Sequence, residues 1–182
     1  MMNHYQVSGF DSISRVCWTK SMPTKEFSCW RVKFSNPIKN ERDFVANWLS
    51  RRPNESWVLL SGDVLAGKFH VAVAFEVLNR NRDRNMMKST GIDGEFMRLV
   101  AGTHHVSHAF SKVGLTTGDS QAWLVDLTQE SSAEAQKICN MMKFQLLPSK
   151  PSSILFEPSR LGLPETADEN DAIGLIHLAD IR

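Results

Sequence analysis

Cysteine is scarce in this chain and unpaired in pattern. Cys17, Cys29 and Cys139 are odd in number and form no CxxC pair, so neither a disulfide framework nor a four-cysteine metal site is written here. The thiols read as small buried apolar groups in a reducing interior. Apolar runs of membrane-spanning length are missing. The first residues, with His4, Tyr5, Gln6 and Asp11, lack the charged-then-apolar pattern of a signal peptide. The expectation is a cytoplasmic protein with no membrane contact. Excess charge is missing too. The formal net charge is +1, so any nucleic-acid surface must come from local clustering. There is no GxSxG elbow, no phosphate loop and no dinucleotide fingerprint, because Gly62, Gly67 and Gly102 fit neither glycine pattern. Nucleophilic catalysis has no evident carrier.

What is present suits one soluble domain. The chain has 182 residues, 42% of them hydrophobic and 23% charged, enough to bury a core without staples. Its centre is Gly94 to Leu127. Phe96 to Ala101 reads as a short apolar strand broken by Arg98. Gly102 permits a sharp corner, and Thr103 is placed to cap the following helix. In that helix Val106, Ala109, Phe110 and Val113 share one face. Gly114 stands where a helix ends. Thr117-Gly118-Asp119 makes a turn before a strand over Ala122 to Leu127.

Around this centre, Ser28 to Phe34 alternates as a half-exposed strand, with Cys29, Arg31 and Lys33 opposite Trp30, Val32 and Phe34. Glu41 to Arg51 carries Phe44, Val45, Trp48 and Leu49 at helical spacing, and Pro53 ends it. Trp57 to Leu60 is a short buried strand. Gly62 and Asp63 open a helical pattern reaching Asn79, whose stripe of Val64, Leu65, Val71, Ala72, Phe75 and Leu78 is core packing. Asn79 to Lys88 reads as a polar, basic linker. Ser131 to Met142 is a helix. Four prolines between Pro148 and Pro164 imply short turns. Acidic residues 165–171 lead into a terminal helix. The predicted fold is α/β, one domain with a mixed sheet flanked by helices. Residues 1–56 form an N-terminal elaboration, 57–147 the core, and 148–182 the proline-rich segment and last helix.

Two clusters invite chemistry. His104 and His108 are four apart, the spacing of a zinc pair, but Val106 stands where HExxH has its glutamate and no third ligand is nearby. A small metal-dependent hydrolase on these histidines is therefore a competing reading, beside a protein-interaction module with no RNA contact. The other cluster is basic: Arg80, Arg82, Arg84 and Lys88 on the linker, with Lys68, His70, Arg98 and His104 elsewhere. Cations of this kind hold phosphates of a single strand.

The segment Ser61 to Phe144 resembles the small subunit of the KEOPS complex, the Cgi/TPRKB (PRPK-binding) family. The residues that carry the likeness are the helix motif Ala66 to Ala74 and the unit holding Glu95, Ala101, Gly102, Val106, Ala109, Phe110 and Gly114. The chain before Trp57 is longer than in compact members, and segment 148–164 is unusual. The resemblance implies a subunit without catalysis or cofactor. It would bind the small atypical kinase of the complex, and other KEOPS subunits indirectly. It would recruit tRNA through its single-stranded 3′ end for threonylcarbamoyladenosine formation by another subunit. On that reading Lys68, His70, Arg80, Arg82, Arg84, Lys88, Arg98, Thr103 and His104 form the RNA groove, the free amides of the helix after Thr103 adding to it. Ile173, Leu175, Ile176 and Leu178 of the terminal helix face the kinase.

Overall fold

The computed structural model describes residues 27–129 and 132–181; the first 26 residues, Cys17 among them, and Ser131 lie outside. In chain order the elements are β1 (Cys29–Lys33), α1 (Glu41–Arg51), β2 (Trp57–Ser61), α2 (Lys68–Asp83), α3 (Ile92–Val100), α4 (Val106–Val113), β3 (Gln121–Asp126), α5 (Ser132–Met142), β4 (Gln145–Leu147), α6 (Pro158–Leu161) and α7 (Glu169–Asp180). The α/β single-domain expectation holds. The four strands lie in the order β2-β3-β1-β4. Every pairing is antiparallel, where a mixed sheet was expected.

Helices cover both faces of the sheet. Trp48 of α1 with Ala135, Ile138 and Cys139 of α5 packs on one face, against Val32, Trp57, Leu59 and Leu124. Residues of α2, α3, α4 and α7 pack on the other, against Cys29, Val58, Leu60, Trp123 and Val125. This double cover is why Cys29 and Val32, on opposite faces of β1, are both buried. Burial also raises the thiol pKa of Cys29 strongly, and that of Cys139 to about 11, so neither is a reactive thiolate at neutral pH.

Local chemistry sets the ends. The Asn40 side chain accepts from the Arg42 and Asp43 amides and starts α1. Asp168 and Asp171 make a reciprocal capping box at the start of α7. Gly102 turns the corner after α3 at φ +60°, and a Cβ there would lie 2.4 Å from Leu175 Cβ. The proline-rich segment forms a 3₁₀ turn over Ser153–Leu155 and the short α6.

Three expectations are corrected. Phe96 to Ala101 is not a strand but belongs to α3 and its C-cap; every residue from Gly94 to Val100 is buried, so the run has no exposed face to reveal a helical period. Residues 62–67, buried except for Asp63, are a connection rather than helix, and α2 instead runs on through Arg80 and Arg82 to Asp83. The cap of α4 is His105; Thr103 Oγ1 accepts from the His105 amide at 3.3 Å but does not cap the helix.

Candidate functional site

The corner between α3 and α4 is built on a buried ion pair. Glu95 and Arg98 stand one helical turn apart and both side chains are wholly buried. Arg98 Nε donates to Glu95 Oε2 at 3.0 Å, and Nη2 donates to Glu95 Oε1. Arg98 Nη1 donates to the Thr103 carbonyl at 3.0 Å and to the Ala179 carbonyl at 2.9 Å. Glu95 Oε2 also accepts the Lys88 and Ser89 amides, each at 3.0 Å. Burial alone would raise the Glu95 pKa. The Arg98 bonds and charge, with those two amides, outweigh it and hold the carboxyl below its ordinary value. Four segments meet at this pair: α3, the linker before it, the Gly102 corner and the end of α7.

Two further cations, Arg80 and Lys88, gather around that end of α7. Arg80 pairs with the Asp180 carboxylate, and Asn81 Nδ2 donates to its other oxygen at 2.9 Å. Lys88 Nζ reaches the Ala179 carbonyl at 3.1 Å, the Ile181 carbonyl at 3.5 Å and His104 Nδ1 at 2.9 Å. Cations beside the final carbonyls of a helix meet its negative pole. An ammonium has only donors to offer, so in this contact His104 Nδ1 is the acceptor, on a ring that is exposed. Arg82 and Arg84, two and four residues beyond Arg80, are exposed.

The predicted RNA residues thus divide. Arg80, Lys88, His104 and Thr103 come together, while Arg82 and Arg84 stand exposed at the end of α2. Arg98 is brought to the same place but sealed within it, so it is a structural group and not an RNA contact. His70 is likewise corrected: it is fully buried, with Nδ1 accepting the Ala66 amide at 3.3 Å. Burial lowers its pKa to about 4 against a small opposing effect of the Val100 carbonyl. Lys68 is exposed at the other end of α2, twelve residues or roughly 18 Å from Arg80, and belongs to no cluster with it.

The predicted kinase stripe divides as well. Ile176 is 0% exposed and packs in the chain's own core with Ala172 and Ala179. Ile173 and Leu175 are half-buried, and Leu178 alone of the four is fully exposed, at 61%. Ile176 therefore offers no surface to a partner. The histidines His104, His105 and His108 are exposed, and the described residues contain no group of three or more His, Cys, Asp or Glu that could hold a metal. No helix among the described residues is long and apolar enough to cross a membrane.

A second surface has no counterpart among the sequence motifs. A groove of about 850 Å³ runs between α1 and the α3–α4 pair, floored by Val58 and Leu59 of β2. Leu49 on one lip and Phe110 on the other are 49% and 51% exposed, although helical spacing puts Phe110 on the apolar face of α4. The Arg52–Asp93 ion pair, at 2.7 Å, lies in its lining.

The family model described as kinase binding protein CGI-121 matches residues 34–154, about two thirds of the chain. No curated protein matches it.

Proposed function

The chain belongs to the CGI-121 kinase-binding protein family, and from that premise we propose that it is the non-catalytic KEOPS subunit that holds the kinase and brings in tRNA by its single-stranded 3′ end. The assembly acts in the cytoplasm on threonylcarbamoyladenosine formation, with the chemistry on another subunit. The observation that carries the RNA half is the gathering of Arg80, Lys88 and His104 at one point of a nearly neutral protein, with Arg82 and Arg84 exposed two and four residues beyond Arg80. Lysine and arginine supply phosphate contacts, and the exposed His104 ring is suited to a phosphate or a base edge. Arg98 contributes by fixing the frame, since it ties the Thr103 corner to α7.

The test compares intact tRNA with tRNA lacking its 3′ terminal nucleotides across several salt concentrations. Intact tRNA is expected to bind more tightly, with affinity falling steeply as salt rises. Arg82→Glu with Arg84→Glu should weaken binding and flatten the salt slope by about 1 for each phosphate that is no longer neutralised. Equal affinity for the two RNAs would remove tail recognition, and binding of neither would leave a protein-interaction subunit.

A further inference from the structure

We infer that the kinase partner enters the groove beside β2 as an extended segment and adds a fifth strand to the sheet; this rests on the reading of the chain as a kinase-binding subunit. The terminal helix leaves only Leu178 of its four predicted anchors fully exposed, so kinase docking needs a larger apolar surface. The groove supplies one.

The register of β2 gives the groove its floor. Leu127 N donates to Ser56 O at 2.9 Å, and Trp57 stands opposite Asp126, Val58 opposite Val125 and Leu60 opposite Trp123. Main-chain bonds in an antiparallel pair alternate. Val58 and Leu60 therefore bond to β3, while Trp57 and Leu59 turn their N–H and C=O groups toward the free edge. Both groups of Trp57 are already engaged: its N–H donates to the Asn54 carbonyl and its carbonyl accepts Arg52 Nη1, each at 3.3 Å. Leu59 is the residue whose N–H and C=O face the groove in the manner of an edge strand awaiting a neighbour.

The shape and charge select the occupant. The groove lies in the plane of the sheet between two helical layers. A strand takes a slot about 4.8 Å from its neighbour in that plane, whereas a helix is roughly 10–12 Å across. All of β2 is buried, so the edge is recessed and a second copy, whose β2 is recessed equally, does not reach it. Trp48 and Leu49 form the wall on one side, Met97 and Phe110 the wall on the other. An added strand points successive side chains at the two walls alternately, so apolar residues suit both directions. The inner charges Arg52 and Asp93 already satisfy each other, and a charged insert would lose its solvation without gaining a partner. The matching ligand is a short, uncharged, apolar segment in extended form, as in other strand-addition complexes.

The experiment measures binding of the purified KEOPS kinase subunit to the full chain and to Leu49→Asp, Phe110→Asp and Leu178→Asp, with amide hydrogen exchange at Leu59. Each groove variant is expected to weaken binding by about ten-fold or more, as central apolar anchors do, with an unchanged melting temperature because both side chains are half-exposed. Leu178→Asp should bind as the parent does. The Leu59 amide should exchange at least about ten-fold more slowly in the complex, as ladder amides do. Groove variants that bind like the parent overturn the inference. So does weakened binding with no protection at Leu59, which means a groove occupied through side chains alone. Slow Leu59 exchange in the free chain also overturns it, assigning the groove to residues 1–26, or to a second copy if the protection depends on concentration. A parent chain that fails to bind the kinase at all removes the kinase-binding reading itself, and the inference with it.

Discussion

Replacing Arg98 by methionine removes the cation that faces Glu95 in a region from which water is excluded. Arg98 makes two hydrogen bonds to that carboxylate and two to backbone carbonyls, at Thr103 and Ala179. The Arg98→Met variant keeps most of the volume but leaves a buried carboxylate held by two amides and the Thr103 carbonyl without its partner, while the Ala179 carbonyl keeps Lys88. Breaking a buried pair from one side costs about 3–5 kcal/mol, a large share of the roughly 5–15 kcal/mol that stabilises a domain. In thermal unfolding the midpoint should fall by about 6–20 °C for a chain of this size. Glu95→Met with Arg98→Met should be less damaging than Arg98→Met alone, because no unpaired charge remains. The pH dependence carries a sign. In the parent, Glu95 is held below its ordinary pKa, so its contribution is present above that ordinary value and fades as pH falls through the lowered one. In Arg98→Met, burial is opposed only by the two amides and Glu95 should rise above its ordinary value. The stability gap between variant and parent should then narrow as pH is lowered from about 7 to 5. A single variant costing under about 1 kcal/mol, or a double variant costing as much as both singles added, would refute the reasoning.

The remaining predictions concern protonation and burial. His70 stays neutral in the fold down to about pH 4 while the unfolded chain takes up its proton near 6.5, so stability should decline as pH falls between those values, by up to a few kcal/mol. In His70→Asn, whose amide oxygen can still accept from Ala66, urea titrations should show a flatter pH slope. Ile176→Asp should lower the melting temperature severely by placing an unpaired charge in the core, while Leu178→Asp, on the exposed face of the same helix, should stay within about 0.5 kcal/mol of the parent.

The helix over Glu41 to Arg51 is legible in the sequence because one side of it meets solvent, and the strand at Trp57, buried throughout, is legible as a short apolar run; both have nearly their observed bounds. In α3 the code is silent, since a helix buried all round shows an apolar run and no stripe. The signal that was available is the Glu95–Arg98 spacing, one helical turn, which a strand would place on opposite faces. Charge misled in the same region. Arginine is almost never fully buried unless paired, and the pairing is visible only in three dimensions. His70 carried a usable clue, for it falls on the same helical side as Ala74, Val77 and Asn81, all buried. Of the candidate sites, the cations nearest the linker could be named from sequence, but not that Lys68 stands apart from them. The groove could not be named at all, because it depends on β2 being the edge of the sheet, and strand order is not a local property.

The contacts between α2 and α7 impose an order in time. Glu169 supplies the carboxylate that receives the Phe69 and His70 amides, at 2.6 and 2.9 Å, across sequence separations of 100 and 99 residues. At the far end, Asn81 and Arg80 hold Asp180 across 99 and 100. During synthesis at about 5–20 residues per second, the first turn of α2 therefore waits roughly 5–20 s for its cap. Arg98 waits nearly as long for the Ala179 carbonyl, 81 residues downstream. The early two thirds of the domain must persist through that interval with an open helix end and an incompletely bonded guanidinium, so this fold closes late, from its last helix inward.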